Sequence, residues 1–391
     1  MKRLLTFVVL GCLVAPIAGQ SVTPAGQKSA NLPATAPAGK PPDSTYIEDL
    51  TWAEVRDLVA GGWTTAIIAT AGTEQKGPHM VDGEHKFVME YNADKIARAI
   101  GKTLVAPVIT YVPEGSWDSV GGHMGKPGTI TLPEDRFLEL LMAAGRSLKS
   151  GGFKTILYLG DSGGNRTGMR NAATRLNELW KGEARAIWID DYYTKGHNEQ
   201  AAYAAKVLGV KESDIAGGHA NIFDTSEMLF VNPKHVRKDK LANGGGYQNS
   251  GVSGDPTKSS AELGKAFVQI RIDLAVTQIK ALMGAAPVAP EASPSASPQA
   301  QGAGRAGRAG GAAGAQAAPT PRPPTMETAP AGISPTNPPD TTFIDELTWE
   351  ETRDRMKAGW TTVIIPTGLH PVARLFPREL VDKRRVGRIG R

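Results

Sequence analysis

The chain has 391 residues, of which 40% are hydrophobic and 21% are charged, and its formal net charge is +5. This length and composition allow one large domain or two smaller ones with a sizeable core. Much of the positive charge lies in the tail, residues 374–391, and no RNA- or DNA-binding motif accompanies it, so we expect no nucleic-acid partner.

The N-terminus has the pattern of a secretory signal peptide. Residues 1–3 form a short basic segment, and residues 4–17 are mostly apolar. Small residues at 18–19 predict cleavage after residue 19. This apolar run is too short and wrongly flanked for a membrane span, so we expect an exported protein, periplasmic or extracellular. The sole cysteine, Cys12, lies inside the signal peptide, and a lipoprotein site there is the alternative. A mature chain without cysteine excludes disulfides and thiolate metal sites.

After a flexible leader at residues 20–42, predicted strands and helices alternate. A capping box at Thr51 and Glu54 begins the first helix. Strands are predicted at 64–69, 103–109, 154–159 and 184–189, and helices at 52–60, 87–100, 133–148, 167–180, 200–207 and 260–283. This alternation predicts an α/β fold over residues 43–286, a three-layer α/β/α sandwich with a mostly parallel sheet.

Two further segments follow that domain. Residues 287–338 are low-complexity Ala, Pro, Gly, Ser and Gln, which predicts a disordered linker. Residues 340–367 then align without gaps on residues 43–70, with 16 of 28 positions identical. We therefore interpret residues 339–391 as a truncated second copy of the start of the domain, followed by a basic tail. The copy predicts a helix and a strand but contains no site, and it is too short to form a second core alone.

Polar residues are concentrated after the first predicted strand. The loop at residues 70–85 contains Glu74, Lys76, His79 and His85. Open α/β sheets bind their ligands just beyond the carboxyl ends of parallel strands. This loop is therefore the first candidate for a functional site.

A second polar loop, GDSGGN at residues 160–165, resembles the nucleophile segment of chymotrypsin-like proteases. Here it lies between a predicted strand and a helix, and the expected upstream histidine context is missing, so we reject that class. A different hydrolase with Ser162 as the nucleophile, and His123 or His219 as the base, stays an alternative.

Five motifs in order resemble those of the creatininase family, the creatinine and formamide amidohydrolases. The family pattern reads STEQHGPH, GTD, SxxH with PGT, NGHGGN and HAGxxETS. This chain has, in the same order, TEQKGPH at 73–79, GEH at 83–85, GH at 122–123 with PGTI at 127–130, GDSGGN at 160–165, and HA at 219–220 with DTS at 224–226. The resemblance extends over about residues 43–283.

Membership of this family implies a three-layer α/β subunit, usually in a homo-oligomer. It also implies two divalent metals, generally zinc or manganese, at the C-terminal edge of the sheet. Such metals activate water and polarise an amide carbonyl. The implied activity is hydrolysis of a non-peptide C–N bond in a small cyclic or linear amide.

The family's ligand positions are matched only in part. The glutamate ligand of the family is present as Glu74. Three other family positions carry a different residue here: Lys76 replaces the next histidine, His85 replaces the bridging aspartate, and Ser162 replaces the histidine of NGHGGN. Asp161 is new and is a candidate replacement ligand. We expect one divalent metal, zinc or manganese, held by Glu74, His85 and Asp161, with Lys76 supplying the charge of the missing second ion. The alternatives are a site with two metals, and a site where no metal binds and Glu74 simply pairs with Lys76.

The remaining site residues have assigned roles and alternatives. His219 is the expected general base, and Asp224 either orients it or caps the following helix. The expected substrate-binding residues are His79, His123, Ser162 and Asn165, with bracing of the loop as the alternative for His79. The three altered ligand positions also leave open a non-catalytic relative that binds a small molecule.

Overall fold

The computed structural model describes residues 43–215, 217–241, 250–284 and 340–365. The predicted signal peptide, leader and linker, and the tail beyond residue 365, lie outside the described residues. Export of the protein therefore stays a prediction. No helix in the described ranges is long and apolar enough to cross a membrane.

The central sheet has four parallel strands. In chain order the strands are β1 Thr65–Thr70, β2 Thr103–Val105, β3 Gly115–Ser116, β4 Gly121–Gly122, β5 Thr155–Gly160 and β6 Arg185–Trp188. The sheet order is β2-β1-β5-β6, while β3 and β4 form a separate antiparallel pair. Every residue of β1 and β5 is buried, as expected for a parallel sheet covered on both faces.

The described ranges contain nine α-helices. They are α1 Trp52–Ala60, α2 Glu84–Ile100, α3 Glu134–Ser150, α4 Asn165–Trp180, α5 Thr194–Leu208, α6 Ile222–Val231, α7 Lys238–Leu241, α8 Ala261–Gly284 and α9 Trp349–Lys357. Short 3-10 helices lie at Ile47–Asp49, His123–Gly125, Glu212–Asp214, Pro233–His235 and Ile344–Glu346. The sequence predicted a helix after Asp224 without giving its bounds, which α6 supplies, and it did not predict α7. Helix α2 begins three residues before its predicted start.

Alternate strand residues face opposite helix layers. On one face Ile68 packs with Leu176 of α4 and its neighbours on α3. On the other face Ile67 packs with Met89 of α2 and Ile279 of α8. All of these side chains are buried. This arrangement is the predicted three-layer sandwich, and its period of two along each strand decides which layer a residue joins.

In its described residues, 340–365, the second copy of the repeat forms a helix but no strand. Thr348 and Glu351 form the same capping box at α9 that Thr51 and Glu54 form at α1. Residues 361–365, where the repeat predicts a strand, are exposed and form no strand pairing. A strand there needs a sheet edge beside it, and no strand of the described ranges pairs with these residues.

Candidate metal and catalytic site

The candidate site lies beyond the carboxyl ends of β1 and β5. These strands pair in register up to Thr70 and Gly160, so the loops that follow them leave the sheet at the same edge. The first loop contributes Glu74 and Lys76, and the second contributes Asp161. The first turns of α2 and α6 add further acidic side chains, at Glu84 and Asp224.

Lys76 lies among three carboxylates. Its Nζ is 3.1 Å from Glu74 Oε1, 3.1 Å from Glu84 Oε2 and 3.0 Å from Asp224 Oδ2. Burial lowers the pKa of Lys76, but Asp224, Glu84 and Glu74 outweigh it and hold the pKa well above its usual value. Lys76 is therefore charged, and its three N–H donors all face carboxylates. Its role is wider than the predicted pair with Glu74 alone.

His85 bridges carboxylates through its two different ring nitrogens. Nε2 lies 2.8 Å from Glu74 Oε1, whereas Nδ1 lies 3.5 Å from Asp161 Oδ2 and 3.1 Å from Glu84 Oε2. Because opposite sides of one ring face Glu74 and Asp161, the predicted ligand set of Glu74, His85 and Asp161 does not converge on one point. Burial and Lys76 lower the pKa of His85, but Glu84, Asp161 and Glu74 outweigh them and raise it.

Asp161 has a cationic partner that the sequence did not predict. Arg271 of α8 forms ion pairs with Asp161 and, at 3.4 Å, with Glu227 Oε2, and all three residues are buried. Burial raises the pKa of Asp161, but Arg271 and then His85 outweigh it and lower the pKa. Burial raises the pKa of Glu227 to about 8. Arg271 is 110 residues from Asp161 in the chain, and no local motif marks it.

Two histidines face Glu74 from the more open side of the site. His123 Nε2 lies 3.1 Å from Glu74 Oε2, and His219 Nδ1 lies 3.6 Å from Glu74 Oε1. The side chains of His123 and His219 are 32% and 16% exposed, against 3% for Glu74, so this side is accessible to solvent. The two imidazole centroids are 4.2 Å apart.

His219 is held in one tautomer. Its Nε2 lies 2.6 Å from the Gln75 carbonyl oxygen, which can only accept, so Nε2 carries the proton and Nδ1 presents a lone pair towards Glu74. Burial and the charge of Lys76 lower the pKa of His219 to about 4. Burial also lowers the pKa of His123. Neutral imidazole is the form that binds a metal or accepts a proton.

Glu114 is a further site residue that the sequence did not identify. It is buried, and its carboxyl group interacts electrostatically with Glu74. Burial and then the charge of Glu74 raise the pKa of Glu114 well above its usual value, which favours the protonated carboxyl. It lies in a long irregular loop without a recognisable motif. Glu84 lies in the polar loop at residues 70–85, and its position next to His85 could have identified it as a site residue.

The described residues contain two groups whose donor atoms all lie within 4.8 Å of one another, Glu74 with His123 and His219, and Glu84 with His85 and Asp161. The second group is buried and already contacts Lys76 and Arg271. The first group offers one carboxylate and two neutral histidines on the solvent-accessible side. Such a set, with a coordination position left open, is typical of catalytic zinc. Gln75 Nε2 donates to His123 Nδ1 at 3.2 Å, which leaves the proton of the neutral His123 ring on Nε2, towards Glu74. The first group therefore fits one divalent cation once that proton leaves His123 Nε2.

Asp224 contacts Lys76 and the backbone that precedes α6. Its Oδ2 accepts hydrogen bonds from Lys76 Nζ at 3.0 Å and from the Ala220 amide at 2.8 Å. The cap of α6 is Asn221, whose side chain accepts from the Phe223 amide. Asp224 thus holds Lys76 in place, and it forms no hydrogen bond with the His219 ring in the described structure.

Three of the predicted substrate-binding residues form hydrogen bonds within the protein itself. His79 is fully buried, with Nε2 2.9 Å from Thr225 Oγ1, which matches the bracing alternative. Asn165 is fully buried and donates to Thr70 Oγ1 at 3.1 Å. Ser162 Oγ accepts from the Gly164 amide at 3.3 Å, and no histidine nitrogen of the described ranges hydrogen-bonds to it. Their contacts with a substrate stay predictions.

The chain matches a family profile and is similar to known proteins. The sequence profile described as Creatininase, creatinine amidohydrolase, matches residues 48–279. The mycofactocin precursor peptide peptidase of Mycobacterium ulcerans (strain Agy99) is 24% identical over 236 residues, which are 56% of this chain and 85% of that protein. The 3-dehydro-scyllo-inosose hydrolase of Thermotoga maritima (strain ATCC 43589 / DSM 3109 / JCM 10099 / NBRC 100826 / MSB8) is 25% identical over 123 residues, 31% of this chain and 37% of that protein.

Solved structures share the fold. A crystal structure of creatinine amidohydrolase (creatininase) has a TM-score of 0.51 at 19% identity and covers 62% of this chain and 100% of its own. A creatininase structure with manganese has a TM-score of 0.50 at 19% identity, and a mutant creatininase of Zn-Zn type has 0.51 at 18%, both with the same coverage. With its parallel sheet, its site at the strand ends and a profile match over more than half its length, this chain belongs to the creatininase family.

Proposed function

We propose that this protein is a metal-dependent hydrolase that cleaves a C–N bond in a small cyclic or linear amide. Its single divalent cation, zinc or manganese, would be held by Glu74, His123 and His219. The observation that carries the proposal is the solvent-accessible group of one carboxylate and two neutral imidazoles beside a buried lysine. Hydrolysis in this class needs a cation with an open position for water or substrate.

A cation held there would supply Lewis acidity towards the amide carbonyl and lower the pKa of a bound water. The residues of the chain prepare the position for it. Gln75 O fixes the His219 tautomer with Nδ1 facing Glu74. Lys76 adds a fixed positive charge next to Glu74, and it acts through that charge because all three of its donors already face carboxylates. His219 has one lone pair, so as a metal ligand it cannot also be the predicted general base.

A non-catalytic binding relative is the second candidate, and one observation favours it. Lys76, Arg271 and His85 already balance much of the buried negative charge of the site. In such a protein the same residues would hold the pocket together without a metal. The two candidates differ in whether the purified protein contains a divalent ion.

The test is elemental analysis of the full chain purified without chelator. We expect about one equivalent of zinc or manganese, lost in Glu74→Gln and His219→Ala. His85→Gln should keep the ion, because His85 belongs to the other group. Glu178→Gln, an exposed glutamate on α4, is the matched control for the charge change. A folded, metal-free wild-type protein would favour the binding relative, and two equivalents would refute the single-ion site.

A further inference from the structure

The second copy of the repeat lies against the loop that carries the site. The Asp82 amide donates to Leu347 O at 2.8 Å, and the Gly83 amide donates to Asp345 O at 3.1 Å. A Cβ at Gly83 would lie only 2.5 Å from Asp345 O, so glycine permits this approach. Gly83 immediately precedes Glu84, which contacts Lys76. The repeat therefore covers backbone next to the site.

Side chains of α9 complete the contact. Trp349 is 3% exposed, and its Nε1 donates to Ser250 O at 2.9 Å, while Lys126 Nζ lies 4.8 Å from its ring centroid. Arg237 forms two hydrogen bonds with the Glu351 carboxylate, at 2.8 and 2.9 Å. A buried tryptophan and a bidentate arginine pair are the contacts that dominate specific protein interfaces. We call the residues that receive the repeat the docking surface: Asp82, Gly83, Lys126, Arg237 and Ser250.

The first copy of the repeat leaves part of the equivalent surface open to solvent, while Leu50 and Val55 of that copy pack against the core. Trp52, which aligns with Trp349, is 57% exposed, and Thr51 beside it is also exposed. Glu54 aligns with Glu351 and forms the same capping box with the residue that precedes the helix. The same tryptophan and glutamate are thus presented twice, once to the docking surface and once to solvent.

Several differences between the copies fall on residues that attach α1 to the core. Leu58 and Val59 of α1 pack against the core of the domain. The aligned residues of α9 are Arg355 and Met356, and Met356 is 38% exposed. The second copy has therefore lost residues that attach this helix to a core, whereas it keeps the tryptophan and the glutamate that contact the docking surface.

We propose that the docking surface of one chain binds α1 of a second copy of this chain, and that residues 343–357 compete for that surface within the chain. Trp52 would take the position of Trp349, and Glu54 would pair with Arg237. The inference does not depend on the proposed metal. The in-chain segment has two advantages, since Glu350 also pairs with Lys240 where α1 has an alanine, and covalent linkage raises its effective concentration. The C-terminal repeat thus limits self-association, because it occupies the docking surface within its own chain.

The first measurement is hydrogen exchange of the full-length chain. In Trp349→Ala the Asp82 and Gly83 amides should exchange at least about tenfold faster than in wild type, because their acceptors leave with the repeat. Trp52→Ala, the matched tryptophan change at the aligned position, should leave both amides protected. Unchanged protection in Trp349→Ala would overturn the proposal. Glu351→Gln provides a second variant with a smaller change in volume if Trp349→Ala folds poorly.

The second measurement uses a fluorescent peptide of residues 43–60 as the probe. It should bind the full-length Trp349→Ala chain at least about tenfold more tightly than wild type, and a peptide with Trp52→Ala should bind neither. By sedimentation, Trp349→Ala should associate more strongly than wild type, and adding Trp52→Ala should reverse this. Equal binding of the peptide to both chains would refute the competition. Association that persists without Trp52 would refute α1 as the occupant.

Discussion

Replacing Arg271 tests whether a buried ion pair holds the site loop after β5. Arg271 is 2% exposed and its carboxylate partner Asp161 is 1% exposed. Because burial raises the pKa of Glu227 to about 8, that second partner is largely neutral near pH 7, and Asp161 is the charge that Arg271 balances. Arg271→Met keeps most of the side-chain volume but leaves the Asp161 carboxylate buried without this cation. Removing one partner of such a pair costs about 3–5 kcal/mol.

The assay is urea unfolding of the full chain at pH 7, with the stability taken from the midpoint at a constant m-value. The double variant Arg271→Met with Asp161→Asn should recover about 2 kcal/mol or more relative to Arg271→Met, because the orphaned charge is also removed. Arg166→Met is the control, since the Arg166–Asp190 pair is part-exposed at 39% and 26% and should contribute only about 0–1 kcal/mol. A loss below about 1 kcal/mol for Arg271→Met, or strict additivity in the double variant, would contradict this reasoning.

Three further predictions address the core, the missing second ion and pH. Leu157→Ala on β5, with no exposed surface, should cost about 2–5 kcal/mol of unfolding free energy, whereas Leu179→Ala, 53% exposed, should change the melting temperature little. Lys76→His replaces an ammonium among three carboxylates by a ligand, so elemental analysis should show metal content rising from about one to about two equivalents; no increase would argue against Lys76 occupying the second cation position. The raised pKa of Glu227 means that the folded state binds its proton more tightly than the unfolded state, so its contribution to stability is lost as pH rises from about 4.5 to about 8. Glu227→Gln should flatten the measured pH profile of stability over that window, and an unchanged slope would count against the assignment.

Local sequence patterns predicted the elements whose causes are local. The capping box of Thr51 and Glu54 predicted the start of α1, and the structure contains both of its hydrogen bonds. The apolar run that became β1 predicted a fully buried parallel strand. Polar residues immediately after β1 and β5 predicted the position of the site, because parallel strands end at the same edge of the sheet. The family resemblance rested on these same loops.

The ligand geometry could not be predicted from the chain alone. Glu74, His85 and Asp161 are all in the site, but the two nitrogens of the His85 ring face different carboxylates. Glu74 therefore belongs to one group of donors, and His85 and Asp161 belong to the other. His123 and His219 are separated by 96 positions in the numbering, and only the fold brings both to Glu74. Which atoms of a set of ligands converge depends on ring orientation, and sequence spacing across separate loops does not determine it.

The sequence by itself determined the layered α/β fold, the edge of the sheet that carries the site and the presence of a repeated segment, because periodicity, caps and identity are properties of consecutive residues. Only the tertiary structure decided that Lys76 pairs with Asp224, 148 residues away, and that Arg271 balances Asp161. It also decided that Trp349 is buried on the domain while the identical residue of the first copy is exposed. Charge pairing and burial depend on distances in space, and residues far apart in the chain set those distances jointly.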